Sequence, residues 1–382
     1  MREYSYSAGP ISLTRKLRDI NWGLVVLITM VASVGFAILY SAAGGNLDPW
    51  ASRQMMRFGG GLALMLVVAL IDVRVWMRYA YVLYAVSLVL LAAVEWFGRI
   101  GMGAQRWLNL GIVQIQPSEV MKIALILALA RYFHGMGEDD IGRIRWLLTP
   151  IVLALVPAVL VLKQPDLGTA MMLLLTAAAI FFVAGVRWWK FAAVGAAAIA
   201  TMPLAWQFLH EYQKKRVLIF LNPESDPLGS GYHILQSKIA LGSGGVFGKG
   251  FLQGTQSHLS FLPEKQTDFI FTSLAEEFGL MGALGLIILY VLLIAYGYAI
   301  AARARNHFSR ILALGFSSML FIYMFINMAM VSGLIPVVGV PLPLVSYGGT
   351  AMMTLLVGFG LLMSVYIHRD VEVPRHSAIG FL

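Results

Sequence analysis

The chain has 382 residues, of which 59% are hydrophobic and only 12% charged, and its mean hydropathy is +0.78. A soluble domain carries about 25% charged residues; this chain has too few to cover a water-soluble body of its size, and lipid is the solvent in which an apolar exterior is stable. The net charge of +9 fits the Lys/Arg bias of cytoplasmic loops; no dense basic run interleaved with aromatics points to nucleic acid, and with no cysteine a disulfide framework, a thiolate zinc site and a thiol nucleophile are excluded.

Arg15, Lys16 and Arg18 precede an apolar run from Ile20 to Ala43. Ser41-Ala-Ala43 faintly resembles a leader cleavage site, but the run exceeds the ~7–15-residue apolar core of a signal peptide, so it reads as an uncleaved first span. Apolar periodicity and length then predict spans over 20–42, 55–71, 78–97, 117–134, 147–163, 167–186, 189–208, 269–302, 310–332 and 347–367. The expected fold class is all-α, a polytopic integral membrane helical bundle of about ten transmembrane helices, with residues 1–382 forming one membrane domain. The stretch 269–302 is longer than ~30 Å of hydrocarbon requires and is expected to tilt or project. With the N-terminus inside, sixteen Lys and Arg fall in inner segments, among them Arg74, Arg131, Arg187 and Arg303. Five fall in short outer ones: Arg53, Arg57, Arg99, Arg106 and Lys163. That asymmetry fixes the orientation and leaves both tails, 1–19 and 368–382, in the cytoplasm.

Residues 209–268 form one long outer loop. A structureless connection of that length is unusual, and its apolar residues, such as Ile234, Val246, Phe247 and Phe261, argue that it packs into or over the bundle with short interfacial helices. Gly242–Gly250 superficially resembles a phosphate-binding loop. It lacks the Ser or Thr after the lysine, because Gly250 follows Lys249, so a nucleotide site is not expected; a backbone nest for a pyrophosphate is the softer reading.

Four separated motifs stand out: Gly103-Ala-Gln-Arg-Trp-Leu108 with Gln116-Pro-Ser-Glu119-Val-Met-Lys122; Gln164-Pro-Asp-Leu-Gly-Thr-Ala170; Phe261-Leu-Pro-Glu-Lys-Gln-Thr-Asp-Phe-Ile-Phe271 followed by Leu274-Ala-Glu-Glu-Phe-Gly279; and Pro341-Leu-Pro-Leu-Val-Ser-Tyr-Gly-Gly-Thr350. Together they resemble the SEDS family of peptidoglycan polymerases over residues 20 to 368, and its elongation (RodA-type) branch more than its division (FtsW-type) branch. Gln266 is a departure, since the family usually has His there; a neutral amide means that no imidazole is essential at this position. The resemblance implies polymerisation of lipid II on the periplasmic face of a bacterial inner membrane. It also implies a class B penicillin-binding transpeptidase and other elongation-complex membrane proteins as partners. The competing readings are a lipid II flippase, which should need charges through the whole membrane thickness, and a non-catalytic scaffold, for which Asp268 would be dispensable.

In such a reaction a sugar hydroxyl displaces a lipid pyrophosphate, which is already a good leaving group once its charge is neutralised. One carboxylate base plus cations then suffices, where a glycosidase needs two carboxylates. Asp268, at the junction of the long loop with a span, fits the base; its alternative is a helix N-cap. Lys265 beside it is a candidate cation. Glu119 and Lys122 share one helix face and either pair structurally or line a pyrophosphate cavity with Arg53, Arg57 or Arg106, since intramembrane charges are costly and usually functional. Asp166 either binds substrate or a metal, or caps the helix entered at Leu167. Trp107 stacks on a sugar or belongs to the aromatic belt. Val340-Pro-Leu-Pro343 cannot sustain a helix and sets Ser346 and Tyr347 on irregular backbone, which must be buried or line a cavity. Glu276 and Glu277 are expected to organise helix contacts rather than act as the base. A divalent cation, Mg or Mn, would bridge pyrophosphate and an acidic residue, although no dedicated ligand cluster is visible.

Overall fold

The computed structural model describes residues 12–101, 104–109, 111, 114–137, 140–208, 211–222, 226, 230–258 and 264–373. Gly103 of the first motif, Phe261, Leu262 and Pro263 of the third, and the outer parts of both tails lie outside the described residues.

Each stretch read as a span is helical. A short basic helix α1 (Leu13–Arg18) leads into α2 (Trp22–Ala42), α3 (Ala51–Leu70) and α4 (Val73–Phe97). Three short strands follow, β1 (Arg99–Gly101), β2 (Ala104–Asn109) and β3 (Gln114–Ile115), then α5 (Pro117–His134), α6 (Ile144–Lys163), α7 (Leu167–Val183) and α8 (Trp188–Phe208). The long connection carries α9 (Glu211–Leu221), α10 (Ser230–Ser243) and α11 (Thr255–His258), and the chain closes with α12 (Ile270–Arg303), α13 (His307–Val331) and α14 (Gly349–Ile367). Seven of these helices, α2, α3, α4, α6, α12, α13 and α14, are long and apolar enough to cross a membrane, and α7 is apolar but shorter. The chain is a multi-pass membrane protein.

Local chemistry sets the ends. Asn21, Asp72, Asp166 and Asn306 each cap a helix through the side chain, on α2, α4, α7 and α13. Pro117 opens α5, where its missing N–H costs nothing. The centre of the bundle is α13 with α5, whose residues are buried almost throughout. Around them α3 packs along α14, α4 along α5, α12 along α13 and α2, and α6 along α7. Outward-facing Val, Leu and Phe side chains on α4, α6 and α12 remain exposed, as lipid-facing surfaces require.

Three features give detail that the sequence reading lacked. The strands Arg99–Gly101, Ala104–Asn109 and Gln114–Ile115, given no element there, form a small antiparallel sheet of order β1-β2-β3, with Trp107 opposite Arg99 and Leu108 opposite Ile115. The loop helix α10 docks on the bundle: the Ser237 hydroxyl donates to the Val331 carbonyl at 2.7 Å and bonds the Thr272 hydroxyl at 2.8 Å. The surplus length of α12 comes from a break, not from tilt alone. Gly279 has φ 64° and ψ −159°, and the segment Gly244–Gly250 inserts beside it. The Lys249 and Gly250 N–H groups donate to the carbonyls of Glu276 and Glu277, both at 3.0 Å, and Leu280 and Met281 N–H donate to Gly245 and Val246 carbonyls at 2.9 and 3.1 Å. The amides of Lys249 and Gly250 are therefore committed to α12, which corrects the reading of this glycine run as a pyrophosphate nest.

Candidate active site

A cleft of about 990 Å³ opens between α3, α4, α5 and α14 under the β-sheet. Its upper end carries Arg57, Trp107, Gln114, Gln116, Tyr347 and Thr350; its lower wall is Leu83, Ile123, Leu127, Val357 and Leu361. The arrangement follows from sequence order. α3, α5 and α14 all begin at the upper end, so their first two turns hold the polar lining residues and their later turns the apolar ones. The N-termini of α5, at Gln116, and of α14, at Gly348–Thr350, line the cleft head, each with the positive end of its dipole there. The Arg57 guanidinium lies 5.0 Å from the Tyr347 ring centroid, a cation–π contact that orients its donors.

Asp268 does not line this cleft but is tied to it by hydrogen bonds. The Tyr347 N–H donates to the Gln266 carbonyl at 2.8 Å, and the Ser346 hydroxyl donates to the Thr267 carbonyl at 2.6 Å. The half-buried Asp268 follows directly. Its carbonyl accepts from Asn327 Nδ2 at 3.0 Å, and its carboxylate faces the left-handed turn at Gly339, φ 74°. Asp268 is not the cap of α12: Phe269 is the N-cap and no side chain bonds there. Lys265, three residues earlier, stands 6.0 Å from the Trp50 ring, and burial pushes its pKa below the ordinary lysine value.

The remaining candidates distribute as follows. Arg57, Trp107 and Tyr347 line the cleft; Ser346 is buried beneath them as a backbone clasp, since the Leu342 N–H also donates to its hydroxyl at 2.7 Å. Arg106 lies beside the α6–α7 turn, 3.7 Å from Asp166 and donating to the Gln164 and Pro165 carbonyls. Asp166 caps α7, accepting from the Thr169 N–H at 3.1 Å and its hydroxyl at 2.9 Å. Glu119 and Lys122 pair at 2.7 Å inside the bundle, and the Lys122 ammonium also reaches the Tyr323 hydroxyl on α13. Lys122 is buried and does not line the cleft, because its α5 face turns toward α13 while Val120, Ile123 and Ala124 face the opening. Arg53 is exposed and away from the cleft lining. Glu276 holds the outer loop, accepting from Lys249 Nζ at 2.7 Å and the Gln256 N–H at 3.0 Å, and Glu277 accepts from the Ser41 hydroxyl of α2. Sequence reasoning missed Gln54, Gln114, Tyr323 and Asn327; the available signal was a polar side chain within an apolar helix for Asn327 and Tyr323.

Comparison with known proteins places this architecture. The FtsW/RodA/SpoVE family ("Cell cycle protein") matches residues 16–371. The chain belongs to that family. It is 48% identical over 351 residues to the peptidoglycan glycosyltransferase MrdB of Escherichia coli K12, covering 91% of this chain and 93% of that one. It is 33% identical to the stage V sporulation protein E of Bacillus subtilis, covering 92% and 98%. Among solved structures of the family, the rod shape determining protein RodA of Thermus thermophilus superposes with a TM-score of 0.70 at 32% identity, covering 92% of this chain and 98% of that one. A second, from work described as "Structural coordination of polymerization and crosslinking by a peptidoglycan synthase complex", superposes with a TM-score of 0.80 at 35% identity, covering 92% and 99%.

Proposed function

We propose that this chain is a peptidoglycan glycosyltransferase of the cell-elongation type that polymerises lipid II, with Asp268 as the proton acceptor and the cleft as a lipid-binding site. The observation that carries the reading is the joining of two things by hydrogen bonds: a cleft with a cationic, dipole-positive head and an apolar wall, and the turn bearing Asp268. A polyprenyl pyrophosphate has the same division, an anionic head on a hydrocarbon tail. Arg57 is suited to bidentate phosphate contact, Tyr347 and Trp107 offer faces for a sugar ring, and the lower wall matches a prenyl chain.

The chemistry is one displacement. The acceptor sugar hydroxyl attacks the anomeric carbon of the donor; its O–C bond forms as the anomeric carbon–pyrophosphate bond breaks, and the electron pair leaves on the pyrophosphate oxygen. Asp268 takes the hydroxyl proton and later yields it to solvent. Arg57, Lys265 and the helix N-termini neutralise the developing charge. One displacement inverts the anomeric centre. A divalent cation such as Mg or Mn would bridge the pyrophosphate and an acidic residue; among the described residues no three His, Asp or Glu side chains converge as metal ligands, and the steps above are those of this chain's own residues. The charge asymmetry of the loops supports an outer-face reaction with cytoplasmic termini. A class B transpeptidase partner is supported by the similar chain solved in a synthase complex for polymerisation and crosslinking.

The test is purified protein in detergent with lipid II. Wild type should produce glycan strands, and Asp268→Ala, at unchanged thermal stability, should lose at least about a hundredfold of that rate, the scale of general-base catalysis. Full polymerisation by Asp268→Ala removes the residue from this role; movement of labelled lipid across liposomes without polymer identifies a flippase instead.

A further inference from the structure

Two side-chain amides brace the two segments of the site, Gln54 the cleft wall around Tyr347 and Asn327 the Asp268 turn, and neither belongs to any motif read from the sequence. Gln54 on α3 and Asn327 on α13 are both 0% exposed. A buried amide is costly unless hydrogen-bonded, and for packing alone an apolar residue would serve either position better. Their partners are all backbone atoms of the two segments that build the site. Gln54 Nε2 donates to the Ser346 carbonyl at 2.9 Å, and its Oε1 accepts from the Gly348 N–H at 3.4 Å. It thereby brackets Tyr347 on both sides, as a neighbouring strand would. The Ser346–Tyr347 peptide is planar, so its carbonyl and N–H point in opposite directions; the carbonyl goes to Gln54 and the N–H to Gln266, two residues before Asp268. From the other side, Asn327 Nδ2 donates to the Asp268 carbonyl at 3.0 Å and to the Val340 carbonyl at 2.8 Å. That single NH₂ group holds the Asp268 turn against the irregular segment leading into Pro341. Neither amide lines the cleft.

We propose that Gln54 and Asn327 are positioning residues of the transfer reaction: Gln54 fixes Tyr347, and through it Arg57, at the lipid headgroup, and Asn327 fixes the backbone of Asp268. The inference rests on the reading of Asp268 as proton acceptor and of the cleft as headgroup site. It assigns the two amides different kinetic roles. Gln54 supports the binding wall, and Asn327 supports the group that acts in the transition state. A displacement of about 1 Å at a reacting group costs about a hundredfold in rate.

The experiment measures kcat and KM for glycan formation from lipid II by Gln54→Met and Asn327→Leu, both near-isosteric, alongside Asp268→Ala, with the melting temperature of each in detergent. Asn327→Leu should lower kcat about tenfold or more with KM within about threefold of wild type; Gln54→Met should raise KM by about tenfold with the smaller effect on kcat. Simple loss of folded protein lowers apparent kcat at unchanged KM in step with the melting temperature, so the kcat loss of Asn327→Leu supports the proposal when it is measured per folded protein at an unchanged melting temperature, and a loss that only tracks the melting temperature overturns it. A variant that does not fold is replaced by Asn327→Ser or Gln54→Asn, which keep a donor at shorter reach and should show the same split at reduced size. Parallel changes in the two variants, or kcat and KM both within twofold of wild type, overturn the proposal. If Asp268→Ala is inactive while both amide variants match wild type, only this inference fails; if Asp268→Ala polymerises normally, the reading beneath it fails.

Discussion

At the scale of single residues, the chain confines its charges to places where they have partners. Lys122 and Glu119 sit in the bundle with the Tyr323 hydroxyl between them, since an unpaired ion at that depth would cost several kcal/mol. Lys265 has a different setting. It lies outside the helices, half-buried, and desolvation lowers its pKa. A lowered pKa means that the ammonium gives up its proton at a lower pH than an ordinary lysine. If that ammonium neutralises the leaving pyrophosphate, the charge is present below its pKa and lost as pH rises through it. The initial rate of glycan formation at saturating lipid II should therefore fall on the alkaline side earlier than an unperturbed lysine would produce. Lys265→Arg, charged throughout that range, should remove the fall. An unchanged pH profile in Lys265→Arg would exclude Lys265 as its source.

At the scale of elements, the break in α12 is what lets an outer loop become part of the bundle. A continuous helix satisfies its own carbonyls. Here the turn around Gly279 releases those of Glu276 and Glu277, and Lys249 and Gly250 of the loop fill them. Gly248, φ 79°, lies so close that a Cβ there would overlap the Glu277 carbonyl. Gly248→Ala should thus combine a left-handed backbone penalty with a backbone clash and cost about 2 kcal/mol or more. A thermal melt in detergent reads this directly. Gly59→Ala, in open space on α3, is the control and should be neutral or slightly stabilising, because Ala favours a helix over Gly by about 1 kcal/mol. Equal melting temperatures for the two variants would mean that the loop is not clamped to α12.

At the scale of the whole molecule, the site's location depends on chain direction. α3, α5, α7, α12 and α14 all begin at the end where the long loop lies, which gathers their polar first turns on one rim. The absence of cysteine makes the orientation directly measurable with single introduced thiols. Phe247→Cys, at a position 81% exposed on the loop, should react in intact cells with a membrane-impermeant maleimide after the outer membrane is permeabilised. Arg305→Cys, exposed in the α12–α13 connection, should react only after the inner membrane is opened. The reverse pattern would turn the site to the cytoplasm and remove the proposed access to periplasmic acceptor strands.

Apolar run length, set against the thickness of a bilayer, determined the helices from sequence alone: every stretch read as a span is helical, because in lipid the backbone must satisfy itself within each segment. The motifs likewise marked Trp107, Tyr347 and Asp268, and the outer-segment cations included Arg57, since costly polar residues in an apolar chain are legible one by one. What the sequence could not supply was which of these meet. Only tertiary packing turned Lys122 inward to Tyr323, left Arg53 outside, joined the Tyr347 and Asp268 segments by backbone and Ser346 hydrogen bonds, and set Gln54 against the first and Asn327 against the second. Those contacts are set by helix rotation and by the hydrogen bonds of irregular backbone, and neither has a local signature.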